Sequence, residues 1–314
     1  SRLRQILSIS GIALLGLLAL ILVAAVGARM YLVTDSGRNL VVSLVEGRKV
    51  SRFGRLHVEG LKADLFNEFT LARATITDSK GVWLDVSDLR LDWSFSALAM
   101  RRFHASLISA EQIRVIRRPV VEPRTEPGGP QALTVDIDRF AANIELLEGF
   151  SKEYGRWTLS GDAVLPRKGD KIANVAADSL TRKGDHLRLT AVIGEKPEDL
   201  RLNLRAAEAQ GGPIAGSLGY SPDRPFSALA VVNGEVVDVV VKTGDFTPLS
   251  IKGRYGKAGS RISGHADFSG SDLLAPFVER IGRTAVFGFA AAPDSRRKDV
   301  QGVAWRLSAE NLTT

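Results

Sequence analysis

The 314-residue chain has no cysteine, which excludes a disulfide scaffold, a thiolate zinc site and a cysteine nucleophile together. It has only four histidines, His57, His104, His186 and His265. None lies three or four residues from another, the spacing that sets two ligands on one helical face. Neither a metal centre nor a cofactor is expected. Aromatic residues are sparse at 7%, and no Gly-x-Ser-x-Gly elbow is present to carry a hydrolase serine. A phosphate-binding loop also fails, because Gly256-Lys257 is followed by Ala258 and Ile251 stands where the first glycine should be. Acidic neighbours such as Asp136 and Asp138 share one face of an alternating segment, where a solvated surface is the expected use. No catalytic residue is assigned, and enzymatic activity is not expected.

What is present is an ordinary globular balance of 45% apolar and 25% charged residues, enough for a large core and against a mainly disordered chain. The net charge of +7 is unevenly placed. Residues 1–118 carry 17 Lys or Arg against 10 Asp or Glu, and residues 119–314 carry 25 against 25. The excess borders an apolar segment and is not interleaved with aromatics, so nucleic acid is not an expected partner.

That segment runs from Ile6 to Val26, 21 residues in which Ser8 and Ser10 are the only polar side chains. At about 1.5 Å per residue it reaches ~31 Å, the thickness of a bilayer's hydrocarbon core. It reads as a transmembrane anchor within residues 1–29, with Arg2 and Arg4 on the cytoplasmic side. A cleaved signal peptide is the rival reading, for which the apolar stretch is too long. Asn39 to Val50 has helical spacing and is followed by a basic cluster, Arg48, Lys49, Arg52 and Arg55. These cations suit contact with anionic head groups, and equally a solvated helix end.

Beyond residue 54 the period is two. Leu89, Leu91 and Trp93 alternate with polar residues, as do Leu159 and its neighbours, then Leu187 and Leu189, then Leu200, Leu202 and Leu204. Each reads as a half-buried strand, separated by turns such as Arg167-Lys-Gly-Asp170 and Arg182-Lys-Gly-Asp185. An apolar-x-Gly-x-apolar pattern recurs around Gly161, Gly216, Gly234, Gly253, Gly264 and Gly302. It suggests a sheet bent repeatedly in one sense, against the alternative of coincidence in a glycine-rich chain. Residues 119–132 hold four prolines and Gly128-Gly129, an exposed loop. Asp272 to Ile281 has helical spacing at Leu273, Phe277 and Ile281. The fold class expected is mainly β: an N-terminal transmembrane helix, then one elongated, curved antiparallel sheet with a few short helices. Roughly 17 strands at ~4.8 Å give a length near 80 Å.

Residues 58–119 are more specific. They read Val58-Glu-Gly60-Leu61, Phe69-Thr-Leu71, Asp78-Ser-Lys-Gly81-Val-Trp83-Leu84, Leu89-Arg-Leu91-Asp92-Trp93-Ser94 and Ile113-Arg-Val115-Ile-Arg117-Arg118-Pro119. With the preceding anchor, this region resembles the N-terminal part of the TamB family, inner-membrane proteins of the translocation and assembly module within the wider AsmA-like group. It departs from the family at Ala63-Asp64, where a second glycine is expected, and in stopping at Thr314 without a long repeat array. The chain thus looks like an N-terminal portion.

The resemblance implies a bacterial inner-membrane protein whose bulk lies in the periplasm as an open, apolar β-groove similar to bridge-like lipid transfer proteins. Residues 30–118 would be its membrane-proximal start and 133–314 its repetitive body. Phospholipids and the inner membrane are the implied partners, with a TamA-like outer-membrane barrel reached through the missing C-terminal part. Leu159, Leu187, Leu189, Leu200, Leu202, Leu204, Ile262 and Phe268 are the expected groove lining. A scaffold for outer-membrane protein assembly is the alternative, since the edge of the sheet could pair with incoming strands.

Overall fold

A computed structural model describes residues 46–50, 53–64, 67–122, 133–256, 259–276, 278, 282–293 and 303–311. The 6–26 segment and Arg52 lie outside the described residues, and among the described residues no helix is long and apolar enough to cross a membrane.

The strands are β1 (Arg55–Asp64), β2 (Glu68–Asp78), β3 (Gly81–Trp93), β4 (Arg102–Arg117) and β5 (Thr134–Leu147). Then come β6 (Gly155–Leu165), β7 (Lys171–Ser179), β8 (His186–Ile193), β9 (Arg201–Glu208) and β10 (Phe226–Asn233). The last five are β11 (Val236–Thr243), β12 (Phe246–Arg254), β13 (Ser260–Asp267), β14 (Thr284–Pro293) and β15 (Val303–Asn311). All 15 form one sheet in which spatial order is chain order. The sheet is long, curved and open. Its fourteen spacings of ~4.8 Å give about 67 Å along the hydrogen-bonding direction. Two short helices, α1 (Glu148–Ser151) and α2 (Pro213–Ser217), sit in connections.

One pair departs from the antiparallel expectation. β4 and β5 are parallel, because a parallel neighbour needs a connection of a dozen residues or more and the proline-rich 119–132 stretch supplies it. β5 starts at the rim where β4 starts.

Registers show how the apolar alternation survives irregularities. In β2 both Leu71 and Ala74 are buried while Ala72 and Arg73 between them are exposed. Opposite this break lie Gly60 (φ +68°) and Asp88 (φ +48°), both left-handed. Pairing keeps one register across the break, Glu59–Arg73 then Leu61–Leu71 on one side and Leu71–Leu89 then Arg73–Ser87 on the other, so no residue is inserted and β1, β2 and β3 change face together. Val58, Leu71 and Ala74 consequently join one cluster with Val86 and Leu89.

The glycine pattern has three different outcomes. Gly161, Gly253 and Gly264 are strand residues. Gly216 lies in α2, and Gly234 closes the tight turn between β10 and β11 at φ +59°. Gly302 lies outside the described residues. Two of the strand glycines seat an aromatic ring from the paired strand: Phe140 opposes Gly161 and Phe287 opposes Gly264. A Cβ on Gly161 would meet Phe140 Cζ at 2.4 Å and the Asn174 carbonyl oxygen at 2.0 Å. Gly161→Ala is therefore expected to lose about 1–3 kcal/mol in urea denaturation. Parental stability would show that the ring does not occupy the space.

The helix expected from Asn39 does not reach Val50. Glu46 and Gly47 form a turn and Lys49 bridges to Arg55, with Gly47 at φ +68° breaking the helical path. The 272–281 segment has helical residues at Ala275, Pro276 and Val278, while Phe277 and Ile281 lie outside the described residues.

Candidate functional site

One residue per strand, read along the register from β3 to β14, gives Leu91, Ile108, Phe140, Gly161, Val175, Leu189, Leu204, Ala230, Val239, Ile251, Gly264 and Phe287. Every member is apolar or glycine. The next row over, on the other face, reads Arg90, Ser109, Ala141, Ser160, Ala176, Arg188, Arg205, Leu229, Val240, Ser250, His265 and Val286. The sheet thus has a continuous apolar face and a mixed one. Among the described residues, no second layer covers the apolar face along its middle, where Leu159, Leu187, Leu189, Leu202, Leu204 and Ile262 are only half-buried. All six were expected to share a face, and the registers put them on one. Leu200, one residue before β9, keeps the same alternation. Phe268 lies one residue past β13, where its N–H donates to the Arg283 carbonyl at 2.9 Å, so it belongs to the rim.

The two rims differ. At one, described connections such as 166–170, 194–200 and 234–235 are short. At the other, α1, α2 and the chain after β13 join into a strap along the strand ends. Gly216 lies against Ser151, and a Cβ there would come 1.8 Å from the Ser151 carbonyl oxygen. Arg118 donates to the Ser217 carbonyl at 2.5 Å and stacks 5.5 Å over the Phe150 ring. Ser271 donates to the Leu218 carbonyl at 2.6 Å, and Lys152 pairs with Asp272. Beneath the strap the apolar face becomes true core: Ala215, Tyr220 and Phe226 cluster with Ile214, Ala228 and Val241, and Phe226 is 2% exposed.

The strap is fastened by an acid that the alternation pattern did not single out. Glu208, 1% exposed, ends β9 on the apolar face. Its Oε2 accepts the N–H groups of Gly212 (3.0 Å) and Ala215 (2.8 Å), and its Oε1 accepts that of Ile214 (2.8 Å). Burial pushes its carboxyl pKa up, against the opposing pull of those amides. One step beyond the His186–Ala207 pair, Asp185 lies opposite Glu208. Asp185 Oδ1 accepts the Ala209 N–H at 2.8 Å, and Oδ2 is buried without a partner among the described residues.

Of the basic cluster, Lys49 pairs with Glu122 at 3.1 Å and Arg55 donates to the Gly47 carbonyl at 2.8 Å. The Lys49 pair is an exposed one, worth at most about 1 kcal/mol. Farther along, the Arg117 guanidinium holds the Asp78 carboxyl well below the usual carboxylate range, helped by the Val120 and Lys80 amides. This contact ties the β2–β3 turn to the end of β4. Asp136 corrects an expectation: it is 7% exposed and paired with Arg102, because the β4–β5 pairing brings a guanidinium beside it. That pairing also gathers His104, Asp136 and Asp138, whose ligand atoms lie within 4.8 Å of one another. Arg102 already neutralises Asp136, and His104 Nε2 sits 3.2 Å from Asp138.

The class these features define is an open, single-layer β-sheet protein with one apolar face and one strapped rim. Compared with family models, curated proteins and solved structures, the chain matches none of them.

Proposed function

We propose that this chain is an inner-membrane-anchored periplasmic protein that shields phospholipid acyl chains in its apolar groove as they pass between the inner and outer membranes. The observation that carries the reading is the uninterrupted apolar row from β3 to β14, half-buried and uncovered along its middle. Two acyl chains with about 30 methylenes cost ~24 kcal/mol to expose to water at ~0.8 kcal/mol each. A face that is apolar on every successive strand removes most of that cost at each step, and no residue needs to react. The 21-residue apolar segment at residues 6–26 supplies the anchor, and the resemblance of residues 1–120 to the TamB family supplies the compartment.

A second reading has its own observation: β1 and β15 end the sheet, and strand edges recruit other strands. It makes the protein a scaffold for outer-membrane protein assembly. A photo-crosslinking residue at Leu189 or Leu202, installed in cells, separates the two. Attached phospholipid is expected there and not at the outward-facing Arg188 and Arg201. Equal labelling of both faces, or none of either, would set the groove aside in favour of the scaffold.

A further inference from the structure

We propose that the groove binds diacyl phospholipid in one orientation, with the lipid phosphate held by Lys171 at the rim opposite the strap. This rests on the lipid-groove reading and adds a head-group site to it. From β5 to β14 the apolar face presents two charged strand residues, and they lie at opposite rims. Glu208 is sealed beneath the strap with its oxygens taken by three backbone amides. Lys171 begins β7, paired with Ile193 and two residues before Ala173 on the same face. It is exposed and has no ion pair among the described residues.

A lysine at the margin of an apolar face lays its methylenes on that face and offers its ammonium at the water boundary. That is where the phosphate of a lipid must sit if its chains lie on the floor. Arg167, Lys168 and Lys196 in the two adjoining turns are also exposed and without ion pairs among the described residues. Glu195 is turned onto the Gly169 amide at 3.0 Å. The strapped rim differs in being covered. Asp185 and Glu208 are adjacent there, and Arg182 is engaged by Glu153 at 3.6 Å and by the Gln210 and Gly211 carbonyls. A phosphate at that rim would meet two acids on the apolar face beneath a covering layer, and the exposed cations there, Lys183 and Arg224, lie in connections and not on the strands of that face.

The test presents the full chain to phosphatidylethanolamine vesicles containing phosphatidylglycerol with a diazirine either at an acyl end or on the head group. Crosslinked peptides are then mapped. The acyl probe should mark strand peptides around Val175, Leu189 and Leu204. The head-group probe should mark residues 167–171 and 194–201, and Lys171→Gln should lower that labelling about five-fold, the effect of one surface charge near ~1 kcal/mol. If the acyl probe marks the floor while the head-group probe marks the strap, or Lys171→Gln changes nothing, the orientation is wrong and the groove survives. If the acyl probe leaves the floor unmarked, the groove reading fails and the head-group site fails with it.

Discussion

Glu208→Ala should release the strap while leaving the sheet paired. The substitution strands the amides of Gly212, Ile214 and Ala215, which have Glu208 as their acceptor. Each buried unsatisfied donor costs about 1–3 kcal/mol, so the expected loss is ~3 kcal/mol or more, less whatever water recovers by entering. Hydrogen exchange at residues 212–217 should accelerate far more than in β10 and β11, whose amides are held by the ladder. The pH dependence has a definite sign. Burial raises the folded-state pKa of Glu208 above its ordinary value, so the folded form binds a proton more tightly than the unfolded one. Its contribution is full below the ordinary carboxylate range and is lost as pH rises through the raised value. Protection of α2, corrected for intrinsic exchange, should decline over that interval in the parent and be flat in Glu208→Ala. Identical slopes in the two proteins would show that Glu208 does not fasten the strap.

Leu202→Arg should fold and fail to carry lipid. In a closed sandwich, a charge at a central strand position is an unpaired buried ion costing several kcal/mol. Leu202 is half-buried, flanked by Ala191 and Val232 on the same face, with water within reach of a long side chain. The expected stability loss is below about 2 kcal/mol, roughly the value of a partly buried leucine. The guanidinium then stands on the floor where methylenes must pass. Phospholipid captured at Leu189 should fall more than about ten-fold, since an obstruction above ~1.4 kcal/mol suffices for that. Denaturation of the variant in buffer alone would mean that a second layer covers the face. Unchanged capture would mean that lipid does not travel over Leu202.

The apolar face was legible because Leu187, Leu189, Leu202 and Leu204 alternate with residues such as Arg188 and Asn203, and an alternation that strict has one reading in a sheet. Where the alternation broke, the sequence misled. Leu71 and Ala74 are three apart, out of step with a period of two, because β1, β2 and β3 change face together where Gly60 and Asp88 take left-handed backbone. The parallel step at β5 was hidden for a different reason: a proline-rich stretch reports a loop and not where the loop leads. Gly216 and Gly234 matched the strand-glycine pattern yet serve a helix and a turn, because five-residue similarity carries no information about tertiary packing. Glu208 had a local signal that went unused, an acid four residues ahead of Gly212-Pro213, suited to satisfying amides where a helix starts. Lys171 had none, since the role proposed for it depends on the strap lying at the other rim.

The central claim is that one face of the sheet carries lipid along its whole length, and a scan of a single register row tests it most directly. Photo-crosslinking residues are placed in cells at Ile108, Val175, Leu204, Val239 and Phe287, with Ser109, Ala176, Arg205, Val240 and Val286 as their partners on the opposite face. The account predicts phospholipid attached at all five positions of the first set, from β4 to β14, and at none of the second. Capture confined to one end of the row, or equal on the two faces, would contradict it.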